Sequence, residues 1–289
     1  MNPATVFLTL DVEPDYGRAQ TCRVLDQADS FWDWLRQAAV PMTAFIAGKL
    51  IHEGHPVLDR LTALNVPLAL HGYTHAPETF GNMRTSHAGE IQAAHEAFLR
   101  RMGRRPNGYR AAAGIISDKD VLLLDRLGFR YDTSIFPLRR AGRYDFSRLP
   151  RLPFCWAGTS LIEIPFGLLT RRMPAGMTFI NLLGAKLSTR LMLRRIGVRS
   201  VGQDSAGWYV VDLHLHNLFI YTPALEAVPL LMRMLYKVGA WRGGLPCLTR
   251  LIDNLLRAGV HFGNLEEEAL RMRCELLPQA SLDVFGRKP

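Results

Sequence analysis

His71 and His75, four residues apart in the run L-H-G-Y-T-H, are the most informative pair of side chains in the sequence. On one helical turn, two imidazoles at this spacing can bind the same divalent ion. A third ligand could come from Asp11 or Glu13 in the distant run L-D-V-E. Two histidines and one carboxylate, with coordination positions left open, form a ligand set typical of catalytic metals. The two runs together predict a metal-dependent hydrolase.

Asp11 and Glu13 are two residues apart at the end of a predicted strand, so both side chains should lie on one face of it. One carboxylate could then bind the metal while the other accepts a proton from the attacking water. The competing interpretation is a solvated strand end before a turn at Pro14 and Asp15.

Arg110 lies in the run G-Y-R-A-A-A-G, and His214 and His216 lie in D-L-H-L-H-N. An arginine at a strand end can hold a carboxylate ionised, and backbone N–H groups among small residues can stabilise an oxyanion. A histidine across the site could protonate a departing amine. The alternatives are an ordinary surface arginine and a structural histidine pair.

Strand and helix patterns alternate along the chain, which predicts parallel strands joined by crossover helices. The candidate residues all fall at the carboxyl ends of predicted strands, where the active sites of α/β barrels lie. A basic region at 139–153 is either a lid or a loop. The predicted strands are 6–10, 42–47, 66–70, 107–110, 129–133, 161–165, 208–213 and 260–262, and the main predicted helices are 50–64, 85–102, 117–128 and 179–196.

The composition is that of a globular protein, and 289 residues suit one α/β barrel. A net charge of +9 indicates an anionic partner or a surface solubilised by arginine. No basic groove rich in aromatic residues is evident, so we expect no nucleic-acid partner. Basic residues lie among leucines at 179–199. A helix of this composition can lie on a membrane surface, so such contact remains an alternative.

The four cysteines, Cys22, Cys155, Cys247 and Cys274, form no C-x-x-C pair and are predicted to be free thiols in a reducing compartment. The first residues run directly into a strand without the pattern of a secretory leader. The longest weakly charged stretch, 222–235, is too short to span a membrane. We therefore expect a cytoplasmic protein, with peripheral contact to the inner membrane face as an option.

Taken in order, these motifs resemble the polysaccharide deacetylase superfamily, or NodB-homology domain, over about residues 6–262. The matching runs are T-L-D-V-E, H-G-Y-T-H, the Arg110 segment, G-F-R-Y-D-T-S-I-F-P, I-E-I-P-F-G and D-L-H-L-H. The D-V-E run is similar to that of a bacterial subgroup linked to exopolysaccharide production. The resemblance implies a single-domain, distorted (β/α)7-type barrel with its core at about 5–263 and a C-terminal tail at 264–289.

The resemblance also implies the removal of an acyl group, acetyl or formyl, from an N-acylated amino sugar. It implies one divalent metal ion, with zinc expected and cobalt, nickel, iron or manganese as alternatives. Carried over by position, the roles are Asp11 as general base, Glu13, His71 and His75 as metal ligands, Arg110 as the group that orients Asp11, and His214 as general acid.

The chain departs from the family pattern at three places. Val12 follows Asp11 where many members have a second aspartate, so Glu13 would have to be the metal carboxylate. Alanines at 111–113 replace a usual Pro-Pro-Tyr-like run, so a ring that would stack on the substrate is missing there. A backbone N–H near Ala112 or Ala113 is the expected oxyanion donor.

His216 stands close to the position of a family tryptophan, so it could face the substrate or exchange the acid role with His214. The resulting pocket should differ from that of chitin deacetylases. A cytoplasmic enzyme would meet a nucleotide-linked or lipid-linked saccharide or an exopolysaccharide precursor, and the positive charge suits a phosphate on it. A hydrolase of non-sugar amides and a non-catalytic sugar-binding barrel remain alternatives.

Overall fold

Strands and helices alternate along the computed structural model, which describes residues 5–15, 21–197, 207–219, 230–241 and 243–286. The strands in these ranges are β1 (Thr5–Val12), β2 (Met42–Ile46), β3 (Leu68–Leu70), β4 (Gly108–Tyr109), β5 (Tyr131–Asp132), β6 (Arg139–Arg140), β7 (Tyr144–Asp145), β8 (Phe154–Trp156), β9 (Ile162–Glu163), β10 (Trp208–His214), β11 (His261–Phe262) and β12 (Gln279–Ala280). The helices are α1 (Arg23–Asp26), α2 (Asp29–Ala38), α3 (Gly48–His52), α4 (Val57–Ala63), α5 (Ala88–Met102), α6 (Asp118–Leu127), α7 (Met177–Leu183), α8 (Ala185–Gly197), α9 (Leu230–Trp241), α10 (Gly244–Arg257) and α11 (Leu265–Arg271).

Seven parallel strands form a row in the order β10, β1, β2, β3, β4, β5 and β9. Beyond β9, Phe166 forms a parallel bridge to Val210 in β10, so the end of the row returns to its beginning. This arrangement confirms the predicted distorted (β/α)7-type barrel in one mixed α/β domain.

The central strand β1 places the candidate carboxylates. Its residues are buried from the second position onward, as expected for a parallel strand with both faces covered. Phe7 packs with Phe45 in the smaller of the two buried clusters, between the strands. Because alternate residues of a strand share a face, Thr9, Asp11 and Glu13 continue the face of Phe7 toward the carboxyl end of the barrel.

Two predicted helices are each divided into two shorter helices. Gly184 lies between α7 and α8 with φ 78° and ψ 157°, a conformation open essentially to glycine alone. Gly54, with φ 65°, and Pro56 lie between α3 and α4. Periodicity alone predicted continuous helices here, because the apolar spacing persists across both interruptions.

The basic region at 139–153 contains an antiparallel hairpin formed by β6 and β7. The backbone N–H of Met83 donates to the Arg143 carbonyl (2.9 Å), and the guanidinium of Arg143 donates to the Gly81 carbonyl. The hairpin is therefore attached to the loop that follows β3.

The segment beyond residue 263, expected as a tail, packs against the barrel. It contains α11 and β12, and β12 pairs in parallel with β8. Phe285 is buried, with its ring centroid 5.3 Å from that of Trp156. Sequence reasoning missed this strand because only two residues of it pair.

A disulfide joins Cys155 in β8 to Cys274, with the Cα atoms 5.5 Å apart. The prediction of free thiols is wrong for these two residues, whereas Cys22 and Cys247 are free. Local spacing did not reveal the pair because the pairing of β8 with β12 brings together cysteines 119 residues apart. The cysteines therefore no longer support the prediction of a reducing compartment.

No helix within the described ranges has the length and the apolar run that a bilayer span requires. Two stretches considered in the sequence lie partly outside the described ranges. Residues 222–229 of the weakly charged stretch 222–235 and residues 198–199 of the basic stretch 179–199 are outside them.

Candidate active site

Two carboxylates and two imidazoles meet at the carboxyl end of β1. Glu13 Oε2 lies 2.7 Å from His75 Nε2 and 3.4 Å from His71 Nε2. Asp11 Oδ2 lies 3.4 Å from the same atom of His71. All four side chains are buried. The structure thus brings together the residues that the sequence singles out as metal ligands and base.

The segment from His71 to His75 is a loop after β3, so the predicted helical turn is wrong. Gly72 and His75 have φ values of 66° and 52°, which fold the chain back on itself. The two imidazole centroids are nevertheless 4.8 Å apart. Both histidines can therefore reach one ion without a helix.

Glu90 at the start of α5 holds this loop in place. Its carboxylate accepts hydrogen bonds from the backbone N–H groups of Tyr73 (3.0 Å) and Thr74 (2.7 Å). The Thr74 hydroxyl donates to the same carboxylate at 3.1 Å. Glu90 therefore fixes the backbone between the two candidate ligands.

The donor set fits a divalent cation. His71 Nδ1 lies 2.9 Å from the Arg110 carbonyl oxygen, so Nδ1 carries the proton and Nε2 is left as a ligand atom. Among the described residues, this Nε2 is buried without a hydrogen-bond partner, and Glu13 Oε2 is buried against the imidazole nitrogens of His71 and His75. Ligand atoms of Glu13, His71 and His75 lie within 4.8 Å of one another. A bound cation would satisfy both of these atoms.

Arg110 is fully buried and holds Asp11 in position. Its Nη1 donates to Asp11 Oδ1 at 2.6 Å, and its Nη2 donates to the Thr9 hydroxyl at 2.9 Å. The guanidinium carbon lies 4.0 Å and 4.4 Å from the ring centroids of Phe45 and Phe166. The planar group is thus fixed on two faces and two edges, which lysine could not reproduce.

Both carboxylates are acidic despite their burial. Burial raises the pKa of Asp11, but Arg110 and His71 outweigh it and the pKa is lowered. Burial likewise opposes ionisation of Glu13, yet His75 and His214 hold its pKa well below the usual range. Both groups are therefore ionised near neutral pH.

Across the site, Asp212 links Arg110 to the candidate acid histidine. Its Oδ1 accepts from Arg110 Nη1 (3.3 Å), and its Oδ2 lies 3.4 Å from His214 Nδ1. Burial disfavours a charged imidazole, but Asp212, Glu13 and Asp11 more than offset this and raise the pKa of His214 to about 9.

His216 has different surroundings from His214. Burial, together with the neighbouring His214, lowers the pKa of His216 to about 3. Its Nδ1 lies 3.7 Å from Glu13 Oε1. The surroundings therefore favour a proton on His214 and a neutral ring at His216.

A cavity of about 260 Å³ opens onto these residues. Glu13, His75 and His214 form part of its wall, and Ala113 and His216 also line it. Among the expected substrate contacts, Ala112 does not line it and is half-buried in the same turn. The expected oxyanion loop thus reaches the cavity through one of its two alanines.

A buried carboxyl pair behind this loop escaped the sequence analysis. The Ser134 hydroxyl donates to Asp132 Oδ1 (2.6 Å) and accepts from the N–H of Ala111 (2.7 Å). Glu163 accepts from the N–H of Ile135 at 3.0 Å. Burial raises the pKa of Asp132 to about 6, and burial together with Asp132 raises that of Glu163 well above its ordinary value. Asp132 and Glu163 each shift the pKa of the other, so the buried pair favours holding one proton between them.

Glu163→Gln should make the protein more stable at neutral pH. Because the folded pKa of Glu163 is raised, the stability that it contributes is complete below about pH 4.5 and declines as pH rises through the folded value. A glutamine amide keeps its N–H donors at every pH, so it can still donate to Asp132 when that carboxyl is ionised. Urea unfolding at pH 5, 7 and 9 should show that the free energy of unfolding of the variant, relative to that of the wild type, increases as pH rises.

The exposed Glu96, whose side chain is 64% accessible, supplies the matched control. Glu96→Gln should leave the pH profile of unfolding unchanged. Parallel profiles for Glu163→Gln and wild type would contradict the shared proton.

Asp212, Glu90 and Ser134 are the supporting residues that sequence reasoning missed. Asp212 offered a signal, because it lies two residues before His214 and therefore on the same strand face. Glu90 and Ser134 offered none, since their partners are backbone groups of distant loops.

The sequence itself was compared with known families. Residues 1–131 match the polysaccharide deacetylase family. This matched segment contains Asp11, Glu13, His71, His75 and Arg110 but not His214. No curated protein matches the chain.

Three of the solved structures that match this chain illustrate the shared fold. A probable polysaccharide deacetylase from Pseudomonas aeruginosa PAO1 is 14% identical, with a TM-score of 0.58 over 92% of this chain and 90% of that one. Puue allantoinase is 14% identical, with a TM-score of 0.59 over 92% and 89%. The Bc1960 peptidoglycan N-acetylglucosamine deacetylase is 16% identical, with a TM-score of 0.52 over 92% and 88%. The family match thus covers residues 1–131, and the three structures show a shared fold.

Proposed function

We propose that this protein is a metal-dependent hydrolase that removes an acetyl or formyl group from an N-acylated amino sugar. One observation carries the proposal: the carboxylate of Glu13 and the imidazoles of His71 and His75 converge beside Asp11, which Arg110 holds. The family match supports deacylation as the reaction class.

Glu13, His71 and His75 would hold one divalent ion, with zinc as the expected ion and cobalt, nickel, iron or manganese as alternatives. Such an ion would polarise the amide carbonyl and acidify the attacking water. Hydrogen bonds from groups that would not touch the ion orient the ligands. The Arg110 carbonyl bonds to the His71 ring, and the Glu90 carboxylate bonds to the backbone of the loop that follows β3.

Asp11 would act as general base. Its Oδ1 is occupied by Arg110, which leaves Oδ2 near His71 to accept the proton of the attacking water. The water oxygen then bonds to the amide carbon, and the backbone N–H of Ala112 or Ala113 would stabilise the oxyanion.

His214 would act as general acid. Its Nε2 lies 3.5 Å from Asp11 Oδ2, and Asp212 supports its other ring nitrogen. As the carbon–nitrogen bond breaks, His214 would donate a proton to the sugar amine. His216, neutral and lining the cavity, would contact the substrate.

The substrate proposal is a saccharide whose acylamino group enters the cavity, either a polymer or a precursor linked to phosphate or lipid. The D-V-E run favours an exopolysaccharide precursor as this substrate. We also propose that the protein contacts a membrane surface. The functional unit would be the barrel domain, with its core at about residues 5–263. The cytoplasmic location expected from the sequence stays a prediction. The disulfide between Cys155 and Cys274 argues against it.

Metal content and acyl release, measured together, test the function. We expect about one equivalent of divalent metal in the wild type, lost in His71→Ala and His75→Ala, and release of acetate or formate from N-acylated amino sugars that is lost with it. Leu122→Ala, on the exposed face of α6, is the control that should keep both.

A wild type without metal, even after zinc or cobalt is added, would overturn the enzyme proposal and favour a sugar-binding barrel. Metal with activity only on ureides would favour a hydrolase of non-sugar amides.

A further inference from the structure

We propose that Arg140 and Arg143, on the hairpin of β6 and β7, form an anion-binding subsite that selects substrates carrying a phosphate group next to the acylated sugar. This inference rests on the proposed deacylase function. Neither arginine belongs to the predicted metal, base or acid residues, and both line the cavity that holds Glu13 and His214.

The hairpin holds the two guanidiniums in place on the cavity wall. Arg143 is attached through its carbonyl to the N–H of Met83 (2.9 Å) and through its guanidinium to the carbonyl of Gly81. The Arg140 guanidinium lies beside the hydroxyl of the buried Tyr144, and the Tyr144 ring stacks on Phe146 at 4.9 Å. Arg143 is thus anchored by hydrogen bonds and Arg140 follows it on the same two-stranded hairpin, which limits the conformational freedom that binding an anion would cost.

Within the described ranges, neither guanidinium forms an ion pair with a carboxylate. The carboxylates near the cavity, Asp11, Glu13 and Asp212, are paired with other basic side chains. An arginine has five N–H donors, and the anchoring contacts of these two use few of them. Two like charges on one cavity wall repel each other unless an anion lies between them. Guanidinium groups match phosphate oxygens in two-point geometry, so phosphate is the favoured anion.

The charges of the cavity are separated along its depth. Glu13 and Asp212 are buried at the inner end, whereas Arg143 is half-buried and Arg140 is exposed. A substrate with a neutral acylamino group at the inner end and an adjacent phosphate at the outer end matches this order, whereas a neutral glycan has no anion for the two arginines to bind. The net charge of +9 would attract the same substrate from solution.

Two substrates that differ only in the anion test the subsite: an N-acylated amino sugar 1-phosphate and its methyl glycoside. In the wild type we expect kcat/KM to be about 10–100-fold higher for the phosphate, in line with charge-assisted hydrogen bonds. In Arg140→Gln/Arg143→Gln the ratio should approach one. Arg139→Gln, an exposed neighbour on the same hairpin that does not line the cavity, should keep the wild-type ratio.

Equal kcat/KM values for the two substrates in the wild type would overturn the subsite and leave the deacylase intact. An equal loss of preference in Arg139→Gln would also overturn it, since a general surface charge would then explain the effect. A nucleotide-linked and a micellar lipid-linked version of the same sugar phosphate would show which source of phosphate gives the higher kcat/KM.

If neither substrate is hydrolysed, the proposed function fails, and calorimetric binding to Asp11→Asn tests the subsite separately. We expect the sugar phosphate to bind more tightly than the methyl glycoside, and Arg140→Gln/Arg143→Gln in that background to remove the difference. Equal binding of both sugars to Asp11→Asn would overturn the subsite as well.

Discussion

Asp11→Asn should lower kcat by about 10²–10⁴-fold while the protein keeps about one equivalent of metal. Asparagine preserves the shape of the side chain and its contact with Arg110, but it cannot accept the proton of water. The structure places Asp11 against Arg110 and leaves the shortest imidazole contact, 2.7 Å, to Glu13. Steady-state kinetics and elemental analysis on one preparation check both parts of the prediction.

Glu13→Gln is the matched comparison, because it makes the same change two residues away on the same strand face. This variant should lose metal as well as activity, since a neutral amide is a poor ligand for a divalent ion. If instead Asp11→Asn lost the metal and Glu13→Gln retained it, the roles of the two carboxylates would have to be exchanged.

Reduction of the disulfide between Cys155 and Cys274 should lower the free energy of unfolding by up to about 5 kcal/mol. The bond closes a loop of 119 residues, and the estimate is the chain entropy that such a cross-link removes from the unfolded state. Cys155→Ala/Cys274→Ala should show the same loss. Urea unfolding with and without a thiol reductant measures it.

Cys22→Ala/Cys247→Ala supplies the control, because these residues are free thiols. That variant should respond to the reductant as the wild type does, whereas Cys155→Ala/Cys274→Ala should not respond. A wild type whose unfolding is unaffected by the reductant would contradict a stabilising cross-link.

The barrel and the meeting of the candidate residues could be predicted because each residue follows a strand with a plain hydrophobic pattern. Asp11, His71, Arg110 and His214 come from four different strands, and parallel strands bring their carboxyl ends to one edge. The prediction needed only strand direction and the period of two. It did not need the conformation of the loop, which is why it held although His71 and His75 are not on a helix.

The remaining features depend on contacts that leave no local pattern. The disulfide and β12 arise from pairing between segments more than a hundred residues apart. Glu90 acts on backbone N–H groups, which every sequence contains, so its role cannot be distinguished from that of a surface glutamate. Gly184 interrupts a helix through its φ and ψ angles, and an isolated glycine inside a helical pattern is often tolerated.

The central place of β1 has a consequence for the synthesis of the protein. Its first residue, Thr5, pairs with Trp208, so one edge of this apolar strand has no partner until the ribosome has made most of the chain. At about 5–20 residues per second this takes roughly 10–40 s. An exposed, apolar strand edge is a template for aggregation. Nascent or truncated chains that end before β10 should therefore depend on chaperones, and the protein should be recoverable only as a chain that includes β10.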